Sequence, residues 1–224
     1  MLTKHLNSFS MTPIHLTNII VHVTAGSIGL LLGIIALLTK KGGEKHKKAG
    51  RLFLMVLCVV VLTGLIGVFV FKRNTFLLVI TMLSAYLGFS GFRVIRWKSN
   101  QPRVLDIVIA LVTLVTVIYF IYYMKSIGMI WSPVIIYSTV GYLSFIIAYD
   151  LIRYFIPRKS YKNLWLYEHI LKMVSAFSGI LSAFAGTVFP QYQPYSQFLP
   201  STLGTCIAIG FMIYCYRTGK LHGK

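Results

Sequence analysis

The chain has 224 residues, 57% of them hydrophobic and only 12% charged, with a mean hydropathy of +0.77. A soluble domain carries about 25% charged residues, so these values exclude a soluble fold. The formal net charge of +18 would suggest nucleic acid in a soluble protein; here the cations flank long apolar runs, so anionic lipid headgroups are the partner they fit and nucleic acid is set aside.

From the N-terminus, residues up to Thr12, including Lys4 and His5, are polar. No small-residue cleavage site follows a short apolar core, so the first span is expected to persist as a membrane helix. Seven apolar runs then approach or exceed the ~20 residues needed to cross a bilayer as a helix: 15–38, 51–71, 75–95, 104–124, 133–155, 165–189 and 199–217. Pro102, Pro133, Pro190 and Pro200 fall at or near run ends, where a missing N–H donor costs least. The expected fold class is all-α and polytopic, a single seven-helix transmembrane domain over 15–217. A short external segment, 1–14, precedes it and a basic tail, 218–224, follows. The uncharged, Tyr-containing stretch 190–200 suits a membrane-surface loop.

Direction follows from the loop cations. Lys40, Lys41, Lys45, Lys47, Lys48 and Arg51 lie in the first loop, Arg93, Arg96, Lys98 and Arg103 in the third, and Arg153, Arg158, Lys159 and Lys162 in the fifth. With Arg217, Lys220 and Lys224 of the tail, that is seventeen of the 22 cations on one side; Lys4, Lys72, Arg73 and Lys125 lie on the other, and Lys172 is inside a span. The asymmetry predicts an outside N-terminus and a cytoplasmic C-terminus in the inner (cytoplasmic) membrane of a cell.

Small residues at four-residue spacing mark helix contact faces in lipid. Ala25, Gly29 and Gly33 form one such stripe, which His22 shares; a second runs from His169 through Ala176, Gly179 and Ala183, with Met173 one turn after His169; a third is Ser84, Gly88 and Gly91. Such a face suits either packing within the bundle or a partner helix, in a homo-oligomer or with another membrane protein. Cys58, Cys206 and Cys215 all lie in apolar runs without metal-type spacing and read as small buried hydrophobes.

All four carboxylates, Glu44, Asp106, Asp150 and Glu168, accompany the basic clusters. The chain direction brings His46, Asp106, Asp150, Glu168 and His169 to the cytoplasmic level, with Arg51, Arg93 and Arg96. Ionisable groups inside a membrane are candidate functional sites, and two histidines with several acids are competent to ligate a metal at His46 and His169, relay protons or clamp an anion. Charge neutralisation accounts for the same residues: Asp150 precedes Arg153 by three positions and Glu168 precedes Lys172 by four, while Asp106 and Glu168 suit helix N-termini. His22, nearer the outer surface, is a further candidate, or a histidine that locks two helices.

Known seven-helix classes narrow the chemistry. The seventh run has no lysine for a retinal Schiff base, and no late histidine pair suits a seven-helix zinc hydrolase. The ligand expected is a haem, a quinone or a metal; a transporter or channel for a small anion or lipid, and a non-catalytic assembly subunit, are the alternatives. In these readings His169 is the ligand or proton relay, His46 its partner, and Arg51 and Arg93 clamps for propionates or phosphates.

Three segments together resemble the bacterial membrane-protein family called domain of unknown function 2306. They are His22 with Gly26, Gly29 and Gly33, continuing to Lys40-Lys41-Gly42, His46 and Gly50-Arg51; Tyr86 to Gly91-Phe92-Arg93; and His169 to Met173 and Ser175, continuing to Ala183-Phe184. The resemblance implies a polytopic helical inner-membrane protein with motif positions His22, His46, Gly50, Arg51, Arg93, His169 and Met173. It implies no reaction. Where the family often has Asn after the Ala-Phe pair, this chain has Thr187, Val188 and Phe189.

Overall fold

The computed structural model describes residues 12–71, 76–128 and 132–218, apart from the side chains of residues 76, 77, 134 and 135. The expectations for Lys4, His5, Lys72, Arg73, Lys220 and Lys224 lie outside the described residues. Among the described residues the α-helices are, in order, α1 (Pro13–Leu38), α2 (Glu44–Phe69), α3 (Phe76–Trp97), α4 (Val104–Ser126), α5 (Pro133–Ile152), α6 (Arg158–Tyr161), α7 (Leu164–Val188) and α8 (Tyr195–Arg217). Single 3₁₀ turns, Arg153–Phe155 and Pro190–Tyr192, follow α5 and α7. No strand occurs among the described residues.

Local chemistry sets the helix ends. Thr12 caps α1 by accepting from the His15 N–H at 3.3 Å, and Pro13 occupies the first helical position, where its missing N–H costs nothing. At the other end Lys41 Nζ donates to the Ala36 carbonyl at 3.1 Å and to that of Leu37, which satisfies carbonyls the helix leaves open. Gly42, at φ +76°, then turns the chain through a conformation that costs glycine little.

The helix α2 corrects one expectation. Glu44–Arg51 belongs to its first two turns and not to the first loop; a carboxylate in the first turn offsets the following cations. Similarly, α5 ends at Ile152, and α8 begins at Tyr195 and runs through Pro200, so the surface loop after α7 is shorter than the sequence suggests. Boundaries set by proline and apolarity alone miss polar first turns that packing supports.

Among the described residues six helices, α1, α2, α3, α4, α7 and α8, are long and apolar enough to cross a membrane. Large apolar side chains such as Leu31, Leu62, Val115 and Phe145 stand exposed around the bundle, a distribution suited to lipid and hazardous in water. The chain is a multi-pass membrane protein.

Helices α3 and α7 occupy the centre. α2 packs on α3, α1 on α2, and α8 on α7, with α4 and α5 against the remaining side of α3. Phe53, Leu57, Leu87, Phe120, Leu143 and Phe177 build the apolar core. The three small-residue stripes do close helix contacts: Ala25, Gly29 and Gly33 are the buried residues of α1, and Gly88 and Gly179 pack against Leu57 and Ser84. The cysteines differ from expectation. Cys58 and Cys206 are exposed and only Cys215 is buried; all three are free thiols.

Candidate functional site

The carboxylates Asp150 and Glu168 do not sit on a wet rim. They lie with Arg153 and Lys172 in a buried quartet, the four side chains 1–7% exposed. Arg153 Nη1 donates to Glu168 Oε2 at 2.5 Å, Lys172 Nζ donates to Asp150 Oδ1, and Arg153 Nε stands 3.7 Å from Asp150 Oδ1. Two cations balance two anions, which is how burial of charge becomes tolerable.

Tyrosines complete the set. Tyr86 of α3 donates to Asp150 Oδ2 at 2.8 Å, Tyr149 of α5 to Glu168 Oε1 at 2.7 Å, and Tyr161 of α6 to Glu168 Oε2 at 3.0 Å. Burial, and next the Glu168 carboxylate, push the Tyr161 phenol above its ordinary value, so it stays a donor. Asn100, buried between α3 and α4, donates to the carbonyls of Arg153 at 3.0 Å and Ile156 at 2.6 Å and fixes the turn that carries the guanidinium. The α5 and α7 backbones pack less closely than α3 and α7, and long side chains cross between them; Tyr142 and Ser175 add a hydroxyl pair at 2.7 Å.

His46 and His169 form a second group. His46 Nδ1 is 2.9 Å from the Ala36 carbonyl and His169 Nδ1 is 3.0 Å from the Gly91 carbonyl. A carbonyl only accepts, so both rings carry their proton on Nδ1. Nε2 of each is left without a hydrogen-bond partner among the described residues. The two half-buried rings are electrostatic neighbours. Met173 shares the seat of His169: a Cβ on Gly91 would stand 3.1 Å from Met173 Sδ.

The other sequence candidates disperse. Arg93 Nε donates to Asp106 Oδ1 at 2.6 Å, so its charge is already matched. Arg51 is exposed. His22 lies fourteen residues before Ala36 on α1, about 21 Å along the axis, and its Nδ1 meets Thr63 Oγ1 at 2.8 Å. Thr63 Oγ1 itself donates to Val59 O at 2.7 Å, so His22 is the donor and ties α1 to α2.

Between the Arg93–Asp106 pair and the quartet lies a cleft of about 10 Å³, room for roughly one water molecule. Ser90 and Arg153 line it, and Ser90 Oγ and Arg153 Nε find no hydrogen-bond partner among the described residues.

In the sequence Arg153 registers as a fifth-loop cation and Lys172 as a cation within a span, each with a local pairing partner, while Tyr149, Tyr161, Asn100 and Ser90 carry no signal of a role. The signal for the quartet was present in the two spacings Asp150–Arg153 and Glu168–Lys172; what joins them is the α5–α7 contact, which spacing does not encode. Among the described residues no three His, Cys, Asp or Glu side chains converge as metal donors. Comparison with family models, with curated proteins and with solved structures finds no match for this chain.

Proposed function

We propose that this chain is a seven-helix inner-membrane protein, N-terminus outside and C-terminus cytoplasmic, that binds a small ligand through His46 and His169 at its cytoplasmic end. The apolar, 20-residue α5 makes the seventh span, and the positive-inside asymmetry supports the direction. The resemblance to domain of unknown function 2306 belongs to the same proposal, because His46, Arg51, His169 and Met173 are among its motif positions.

One observation carries the ligand reading. Both imidazoles are tied through Nδ1–H to backbone carbonyls, and neither Nε2 has a hydrogen-bond partner among the described residues, the state in which histidine coordinates a metal. Among the described residues no third donor joins them, so His46 and His169 would hold a metal that brings its own further ligands, as the iron of a porphyrin does, rather than a bare tetrahedral ion. The exposed Arg51, five residues after His46 in α2, is the cation available for a propionate. A quinone is the weaker choice, since rings with free Nε2 accept hydrogen bonds from its reduced form only.

Purification in mild detergent, with an absorbance spectrum and metal analysis, tests this reading. A Soret band with equimolar iron is the expected result. A colourless protein that neither contains iron nor takes up added haemin would overturn it.

A further inference from the structure

Among the described residues, three cations at the junction of α3 and α4 have no carboxylate paired with them. The chain has four carboxylates. Asp106 is held by Arg93, while Asp150 and Glu168 are enclosed with Arg153 and Lys172; Glu44 stands in the first turn of α2. Among the described residues no ion pair involves Arg96, Lys98 or Arg103.

These cations are nonetheless ordered. The guanidinium carbon of Arg103 stacks 3.5 Å from the centroid of the Trp97 ring, that of Arg96 lies 5.3 Å from the same ring, and Lys98 Nζ lies 4.8 Å from the Trp165 ring. An indole face holds a cation without cancelling its charge. Trp97, 37% exposed at the end of α3, and Trp165, in the first turn of α7, stand where aromatic and basic residues mark the boundary between hydrocarbon and headgroups.

We infer that Arg96, Lys98 and Arg103, ordered by Trp97 and Trp165, form a binding site for the phosphodiester headgroup of an anionic phospholipid. Guanidinium groups present paired N–H donors to phosphate oxygens, and the lysine adds a third cation. The first turns of α4, directly after Arg103, expose Val104 (78%), Leu105 and Val108 to the outside of the bundle. That apolar strip gives the acyl chains a path beside the headgroup, so the site fits a lipid and not free phosphate. Diffuse attraction by the basic chain is a different effect, because the lysines at the start of α2 have no indole to order them among the described residues.

The test is native mass spectrometry of the detergent-purified protein titrated with phosphatidylglycerol, cardiolipin, phosphatidylcholine or inorganic phosphate. Three forms are compared: the parent, Arg96→Gln/Arg103→Gln, and Lys47→Gln/Lys48→Gln, which removes the same charge elsewhere. With each basic side chain adding a roughly equal increment, the first variant loses about 30-fold in anionic-lipid affinity, while the second stays within about threefold. Arg103→Lys keeps the charge but loses the stacked fork, and a several-fold loss is expected there too; it serves if the double variant is unfolded by circular dichroism. Equal losses in both double variants, no preference over phosphatidylcholine, or phosphate competing as well as lipid would each overturn the inference.

Discussion

Lys172→Met is the sharpest probe of the buried quartet. Lys172 is 1% exposed and bonded to Asp150; without it, Asp150 and Glu168 share a single guanidinium, 3.7 Å and 2.5 Å away. Removing one partner of a buried ion pair costs about 3–5 kcal/mol, a large part of the 5–15 kcal/mol that stabilises a typical protein. For a chain of this size that corresponds to a fall of about 6–20 °C in thermal midpoint, measurable by tryptophan fluorescence in mild detergent. Adding Asp150→Asn removes the surplus negative charge, leaves the Arg153–Glu168 pair intact, and keeps an acceptor for the Tyr86 hydroxyl. The double variant is therefore expected to be more stable than Lys172→Met alone. A double variant that loses the sum of both single losses, or a single variant that loses less than about 2 °C, would refute the charge-balance reasoning.

Tyr86→Phe removes the 2.8 Å donor to Asp150 and should cost about 1–3 kcal/mol by the same assay; no change would mean that water replaces the hydroxyl. Gly204→Ala puts a Cβ 1.7 Å from Ser178 Oγ, whereas Gly210→Ala meets nothing within 4 Å. The first should lower stability by about 1–3 kcal/mol by parting α7 and α8, and the second should not; equal effects would contradict that packing. In a cysteine-free background, Gln191→Cys should react with a membrane-impermeant maleimide in intact cells and Lys159→Cys only after lysis. The reverse pattern would overturn the orientation.

Composition and apolar run length made the all-helical, multi-pass architecture legible, because the bilayer imposes both. The stripes of Ala25, Gly29 and Gly33 and of Ser84, Gly88 and Gly91 were readable for the same reason: close backbone approach in lipid needs small side chains. Helix starts were less legible. Glu44–Arg51 is too polar to register as a span, yet it is helical, and that places His46 half-buried under α1. The acids misled most. Spacing linked Asp150 to Arg153 and Glu168 to Lys172 within single helices, but the interhelical Lys172–Asp150 and Arg153–Glu168 bonds depend on α5 standing beside α7. Arg93 and Asp106, read as separate candidates, neutralise each other across the α3–α4 connection.

The most direct measurement is a haemin titration of the purified protein, followed at the Soret band, in the parent and in His22→Ala, His46→Ala and His169→Ala. Saturation at one haem per chain is expected in the parent and in His22→Ala, with a low-spin spectrum. Loss of either inner histidine should weaken binding severely or convert the spectrum to high spin. Identical titrations in all four proteins, or loss confined to His22→Ala, would contradict the assignment of His46 and His169 as the ligand pair.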